Sequence, residues 1–193
     1  EGETLIKVSA SGICGSDMHA YHGHDDRRLP PLILGHEISG INQNNDQDVV
    51  INPLITCGSC QECTTGREHL CQTRGLLGMT KPISRPGGFA DFVAVPNQNI
   101  FNVSIKNDLN SLSLTEPTAV AYHAIKIAEQ ASFKNIQKNK ILIIGGGAIG
   151  LLLALVLQAK DTQDLTIIDK NSKRLDVCKT ASNCNIAHPD DSN

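Results

Sequence analysis

The sequence predicts an α/β chain in two parts: a mostly-β region over residues 1–134, then the start of a doubly wound parallel sheet over 135–193. Three observations carry this. Short strand-like runs separated by Gly, Pro and Asn fill the first part. A β-α-β pattern with continuous apolar strands fills the second. Four cysteines, Cys57, Cys60, Cys63 and Cys71, crowd into one loop of the first part.

In the first part, Leu5–Val8, Asp48–Ile51 and Phe89–Val95 read as strands, the last with good alternation. Pro117 opens a helix that runs over Thr118–Gln130. In the second part, Ile141–Ile144 and Leu165–Ile168 read as strands buried on both faces. Ile149–Lys160 reads as the helix between them. A second helix is expected over Ser172–Ala181 with Ser172 as its N-cap. Asn185–Ala187 begins a third strand.

Composition removes several functions. Hydrophobic residues are 40% of the 193, enough for a core, but aromatics are 3% and Trp is absent, so platforms for stacking bases are scarce. A net charge of −3 supplies no basic field for nucleic acid or anionic membrane. No apolar run reaches membrane-spanning length, and the first residues do not look like a signal peptide. Seven cysteines, four at metal spacing, fit a reducing compartment, the cytoplasm. Cys178 and Cys184 fit no ligand pattern and read as ordinary thiols.

The four clustered cysteines follow C-x2-C-x2-C-x7-C. Four thiolates satisfy tetrahedral Zn²⁺, so the cluster predicts a closed structural zinc site. A second constellation flanks it. Cys14 and His36, each beside glycines, are the soft thiolate and imidazole expected of a catalytic zinc, which takes three protein ligands and keeps one position open. The third ligand is Glu37 or Glu116. His22, His24, His69, His123 and His188 are not read as ligands.

Gly145-Gly146-Gly147-Ala148-Ile149-Gly150 fits G-x-G-x-x-G between an apolar strand and a helix, and a second strand ends in Asp169, 19 residues beyond Gly150. That context is the dinucleotide fingerprint. Gly145 permits the tight turn, Gly147 lets backbone approach a pyrophosphate, and Gly150 lets helix and strand pack. Asp169 can accept from both ribose hydroxyls and would repel a 2′-phosphate, which favours NAD over NADP. Lys170 beside it would soften that repulsion.

These segments, with Gly12–His19, Leu34–Glu37, Asn52–Cys57, Gly87–Asp91 and Glu116-Pro117, resemble the zinc-dependent medium-chain alcohol dehydrogenases, in particular the sorbitol- and threonine-dehydrogenase branch. They occur in family order along nearly the whole chain. The resemblance implies a GroES-like catalytic domain followed by a Rossmann domain. It implies Cys14 and His36 as zinc ligands, with Glu116 bound directly or through water where other members have a third cysteine. Glu37 would swing into the zinc sphere. Asp17 would hold the His36 tautomer, Ser16 would receive the substrate proton, and His19 would relay it. Ala148, Ile149 and Val120 join the cofactor-binding set. Two zinc ions and NAD are implied, with a homo-oligomer by resemblance alone. The implied reaction moves a hydride from a secondary alcohol, polyol or hydroxy-amino acid to NAD+, giving the ketone. Alternatives are a primary-alcohol or aldehyde dehydrogenase of the same family, or a non-enzymatic, zinc-stapled dinucleotide sensor. The family's chains also carry an opening strand before the position of Glu1 and a complete six-stranded sheet. Their stretch corresponding to Ile41–Val50 is longer.

Overall fold

The computed structural model describes residues 2–104, 108–131 and 136–191. The chain forms two compact units, Glu1–Glu116 and Pro117–Asn193.

In the first unit β1 (Glu3–Gly12) leads into α1 (Gly15–Tyr21), then β2 (Glu37–Asn42), β3 (Asp48–Ile51), β4 (Leu54–Ile55), α2 (Gln61–Thr64), β5 (Gly75–Leu76), β6 (Phe92–Pro96), β7 (Ile100–Asn102) and α3 (Leu109–Leu112). Five strands make an antiparallel sheet in the order β6-β1-β2-β3-β7, and β4 pairs with β5. Period-2 alternation sets the core: Ile6, Ile38, Val49, Ile51, Val93 and Val95 turn inward and cluster with Ile55 and Leu77. At about 1.5–3 kcal/mol for each fully buried aliphatic side chain, this face holds the sheet together.

The pairing of β1 with β2 shifts register between Val8 and Ala10. Such a bulge bends a strand and re-aims its later residues. Past the bulge Gly12 stands opposite Glu37, and the chain enters α1 at Cys14. The expected strand over Phe89–Val95 starts only at Phe92. Before it, the amides of Gly87, Gly88 and Phe89 donate to the carbonyls of Ile33, Gly35 and Leu34. Those donors clamp the loop that leads to His36 instead of entering the sheet.

The second unit takes in α4 (Thr115–Ala131), most of which lies past Glu116, then β8 (Lys140–Ile144), α5 (Ala148–Ala159), β9 (Asp164–Ile168), α6 (Ser172–Ala181) and β10 (Asn185–Ala187). The division falls before the boundary at 134 read from the sequence because Ile125 of α4 packs with Ile143, Ala154, Leu157 and Ile167. The three strands are parallel in the order β10-β9-β8. Right-handed crossovers in one direction place α5 and α6 on the same face. Ile143 is therefore buried while Leu142 and Ile144 are 58% and 84% exposed, so β8 is not buried on both faces as expected. Asn171, not Ser172, caps α6: its side chain accepts from the Arg174 amide. Among the described residues no helix is long and apolar enough to cross a membrane.

Candidate metal centres and dinucleotide loop

Asp17 organises the first centre. It is 2% exposed, and its carboxylate accepts from the Cys14 amide at 3.0 Å and the Gly35 amide at 3.3 Å. Its Oδ1 also lies 3.5 Å from Nδ1 of His36. One buried carboxylate thus ties the start of α1 to the loop before β2, which brings Cys14 and His36 together from distant sequence. Glu37 joins them: one donor atom from each of Cys14, His36 and Glu37 lies within 4.8 Å of the others. Gly12 makes room, since a methyl there would lie 2.0 Å from Oε2 of Glu37.

Electrostatics shows what this cluster can hold. Burial opposes charge on His36, yet Asp17 and the Cys14 thiol outweigh it and push the imidazole up to about 9. Burial pushes the Glu37 carboxyl up, with Asp17 adding to the effect. Burial also pushes Glu116 up, aided by Glu37 and opposed by His36. A thiol and three carboxyls thus surround a single imidazole. A divalent cation fits this donor set, and soft sulfur with imidazole fits zinc. Glu116 lies outside the 4.8 Å group but within electrostatic range of it. Ser16 is half-buried on α1, and it lines a cavity of about 410 Å³ with His19, His24 and Arg27.

The second centre is the four-cysteine loop. Sulfur separations are 3.5 Å for Cys60–Cys63, 3.7 Å for Cys57–Cys71 and 3.8 Å for Cys57–Cys63. A disulfide needs ~2.05 Å. A tetrahedron with ~2.3 Å metal–sulfur legs has edges of ~3.8 Å. The four thiols fit one zinc ion and do not fit disulfides. Amides of Ser59 and Cys60 hold the Cys57 thiol down at about 5, toward the thiolate a metal requires.

In the second unit Gly145 has φ +108°, a conformation open to glycine, and its amide donates to Ile168 at the end of β9. A methyl on Gly150 would sit 1.8 Å from the Gly145 carbonyl oxygen. A methyl on Gly147 would meet nothing within 4 Å, so the loop is open where α5 begins. The first amides of a helix have no partner within it, which suits a pyrophosphate. Ala148 and Ile149 form that first turn. Val120 is exposed on α4.

Asp169 has a role that the motif alone does not reveal. Its Oδ2 accepts from the Gly146 amide at 2.7 Å and its Oδ1 from the Asn171 amide at 2.8 Å. It therefore fixes the glycine loop. These two amides, then Arg174, hold its carboxyl below the ordinary value despite burial. The nearby cation is Arg174, at 3.7 Å, rather than Lys170. Below the loop, Cys178 is buried with its thiol 3.5 Å from the Gly146 carbonyl. Spacing could not have found Arg174 or Cys178, because both reach the loop only through the turn after β9. A depressed carboxyl stabilises the fold fully above the ordinary value of about 4 and loses that contribution as pH falls through its folded value. Melting of the protein between pH 6 and 3 is expected to show this loss, and Asp169→Asn is expected to flatten it. An unchanged profile in the variant would contradict the assignment.

Two side-chain clusters suited to a metal ion and a glycine loop at the start of a helix thus occur in one chain. The chain belongs to the alcohol dehydrogenase family: residues 1–105 match the Alcohol dehydrogenase GroES-like domain, and its relatives place it with the zinc-dependent medium-chain members of the threonine and polyol branch. It is 33% identical over 187 residues to an L-threonine 3-dehydrogenase of Bacillus licheniformis, covering 91% of this chain and 51% of that one. It is 33% identical over 183 residues to a 2-dehydro-3-deoxy-L-galactonate 5-dehydrogenase of Pseudoalteromonas atlantica, covering 90% and 51%. A crystal structure of a protein from Sinorhizobium meliloti, bound to NADP, superposes with a TM-score of 0.85 at 27% identity, covering 100% of this chain and 56% of that one. The chain spans about half the length of the curated relatives it matches.

Proposed function

We propose that the chain carries the metal- and cofactor-binding residues of an enzyme that oxidises a secondary alcohol, polyol or hydroxy acid to a ketone. The observation that carries this is the second metal cluster. Cys14, His36 and Glu37 meet apart from the four-thiol loop, and a purely structural protein or dinucleotide sensor has no use for them. The named relatives act on threonine and on 2-dehydro-3-deoxy-L-galactonate, both with secondary hydroxyls, which supports this substrate class.

Cys14 and His36 would hold a catalytic zinc, with Glu37 as third ligand and Glu116 as the carboxylate that exchanges with it. Cys57, Cys60, Cys63 and Cys71 would hold a structural one. Zinc would supply a Lewis acid that lowers the pKa of the substrate hydroxyl. Ser16 takes the hydroxyl proton and passes it to His19, which is exposed and can release it to water. Asp17 keeps the His36 ring oriented. Gly145, Gly147, Ala148, Ile149 and Gly150 cradle the pyrophosphate, and Asp169 selects NAD by leaving no room for a 2′-phosphate charge. A nicotinamide cofactor held there would supply the acceptor for the carbinol hydride. The free thiols suit the cytoplasm, and assembly as a homo-oligomer follows the family.

The test is a panel of threonine, sorbitol, galactitol, butanediol and ethanol with NAD or NADP, with and without a chelator. Reduction of NAD by a secondary alcohol, abolished by chelation and restored by zinc, is expected. Activity indifferent to zinc removal would refute the metal reading, and preference for NADP would refute the role of Asp169.

A further inference from the structure

A second cavity, of about 370 Å³, lies in the first unit, and none of the residues grouped in the two metal clusters lines it. Its wall carries four cationic residues, Arg27, Arg28, Arg74 and Lys81, together with Gln72, and no acidic residue. In a chain of net charge −3 such a concentration needs a cause. Asp25 alone answers it, and incompletely. Asp25 accepts from Nε and Nη2 of Arg27 and from Nη1 of Arg28. Among the described residues Arg74 and Lys81 pair with no carboxylate, which leaves the wall well in excess of positive charge.

Arg28 is the sharper anomaly. Its side chain is 3% exposed, and its buried Nε has no hydrogen-bond partner. Asp25 pairs with its Nη1 but leaves the Nε unanswered, and an unsatisfied buried donor is costly. The wall is also built rather than incidental. The Arg27 carbonyl accepts from the amides of Thr80 and Lys81 and from the Thr80 hydroxyl, which locks Lys81 beside Arg27. The Arg74 guanidinium donates to the Cys71 carbonyl at 3.4 Å, which anchors the third segment to the four-thiol loop.

We propose that this cavity is an oxyanion site that takes a phosphate or carboxylate group. Guanidinium groups present planar, multiple donors that match such oxygens, and a lysine adds a mobile point charge. Arg27 also lines the cavity that holds Ser16 and His19. The oxyanion is therefore either a free anion or the acid end of a ligand whose hydroxyl end extends along Arg27. Only this second source rests on the proposed dehydrogenase function.

Calorimetric titration of the zinc-loaded protein with inorganic phosphate at low chloride tests the site without using activity. Saturable binding is expected, weakened about tenfold in Lys81→Gln and in Arg74→Gln, as loss of one charge-assisted bond implies. Lys140→Gln, a cation of the second unit, should bind as the parent does. Unchanged zinc content and melting would show the variants folded. No saturable binding by the parent, or parent-like binding by both Lys81→Gln and Arg74→Gln, overturns the proposal. The source is read from kinetics. Phosphate that competes with a hydroxyl substrate bearing an acid group, but not with a neutral alcohol, assigns the site to substrate. Phosphate that binds without affecting either assigns it to a free anion. Phosphate binding in a protein that oxidises no alcohol would retain the site and reject the dehydrogenase.

Discussion

Cys14→Ser is expected to remove one of two zinc ions per chain and to lower turnover about a thousandfold or more while leaving the fold intact. The size follows from the chemistry: Lewis-acid stabilisation is worth several kcal/mol, and about 4 kcal/mol is three decades in rate. The fold survives because the Cys14 amide donates to Asp17 whatever the side chain, and a serine hydroxyl can take the place of the sulfur in the capping box at the start of α1. Cys14 is also only half-buried, so a serine costs little packing. His36→Ala would be a poorer probe, since it strands Asp17 as a buried carboxylate without its imidazole. The mirror experiment is Cys71→Ser. Cys71 is fully buried and its sulfur lies 3.7 Å from that of Cys57. Losing that ligand should also remove one ion, but the loss should appear as lower melting of the first unit, because a loop with so little core relies on its metal to fold. Metal analysis, melting and turnover of the two variants separate the roles. If Cys14→Ser keeps both ions and its rate, the catalytic centre lies elsewhere.

How far the sequence displayed this site depended on how local each feature is. The four thiols lie within one loop, so spacing alone announces their ligand set. The strand-glycine-helix run is likewise local, and its elements appear within a residue or two of where periodicity places them. Pairing Cys14 with His36 requires a contact across 22 residues, and composition says nothing of it. Asp17 makes that contact, through hydrogen bonds to two separate backbone segments. The choice between Glu37 and Glu116 was open in the sequence, since both are acids beside motif residues. Geometry groups Glu37 with the sulfur and imidazole because Gly12 clears space across the β1–β2 ladder. The Phe89–Val95 run misled because alternation reports side-chain faces, not where amides donate. The amide of Phe89, with those of Gly87 and Gly88 before it, belongs to the clamp on the His36 loop. The burial expected of β8 failed for a similar reason: an apolar run states a preference for cover, while crossover handedness decides which face receives it.

Two glycines less than one helical turn apart should answer to alanine in opposite ways. Gly150→Ala is expected to unfold the second unit, and Gly147→Ala to leave it folded but unable to hold a dinucleotide. A methyl on Gly150 would stand 1.8 Å from the Gly145 carbonyl oxygen, a backbone atom that cannot swing aside. Alanine gains about 1 kcal/mol over glycine inside a helix. Relieving a backbone overlap of this kind costs more, about 3–5 kcal/mol, because α5 must lift from β8. The clash therefore wins, and a domain is only marginally stable to begin with. At Gly147 the balance reverses. Its φ is −77°, and the added methyl meets nothing within 4 Å, so the structural cost is that of a weaker N-cap, about 1 kcal/mol or less. That open space is where a pyrophosphate would approach the helix amides, so the methyl displaces the ligand instead of the protein. Melting and NADH fluorescence titration read the two effects separately. Equal loss of melting temperature in both variants would show Gly147 to be a folding glycine, and undiminished NADH binding by Gly147→Ala would move the cofactor off this loop.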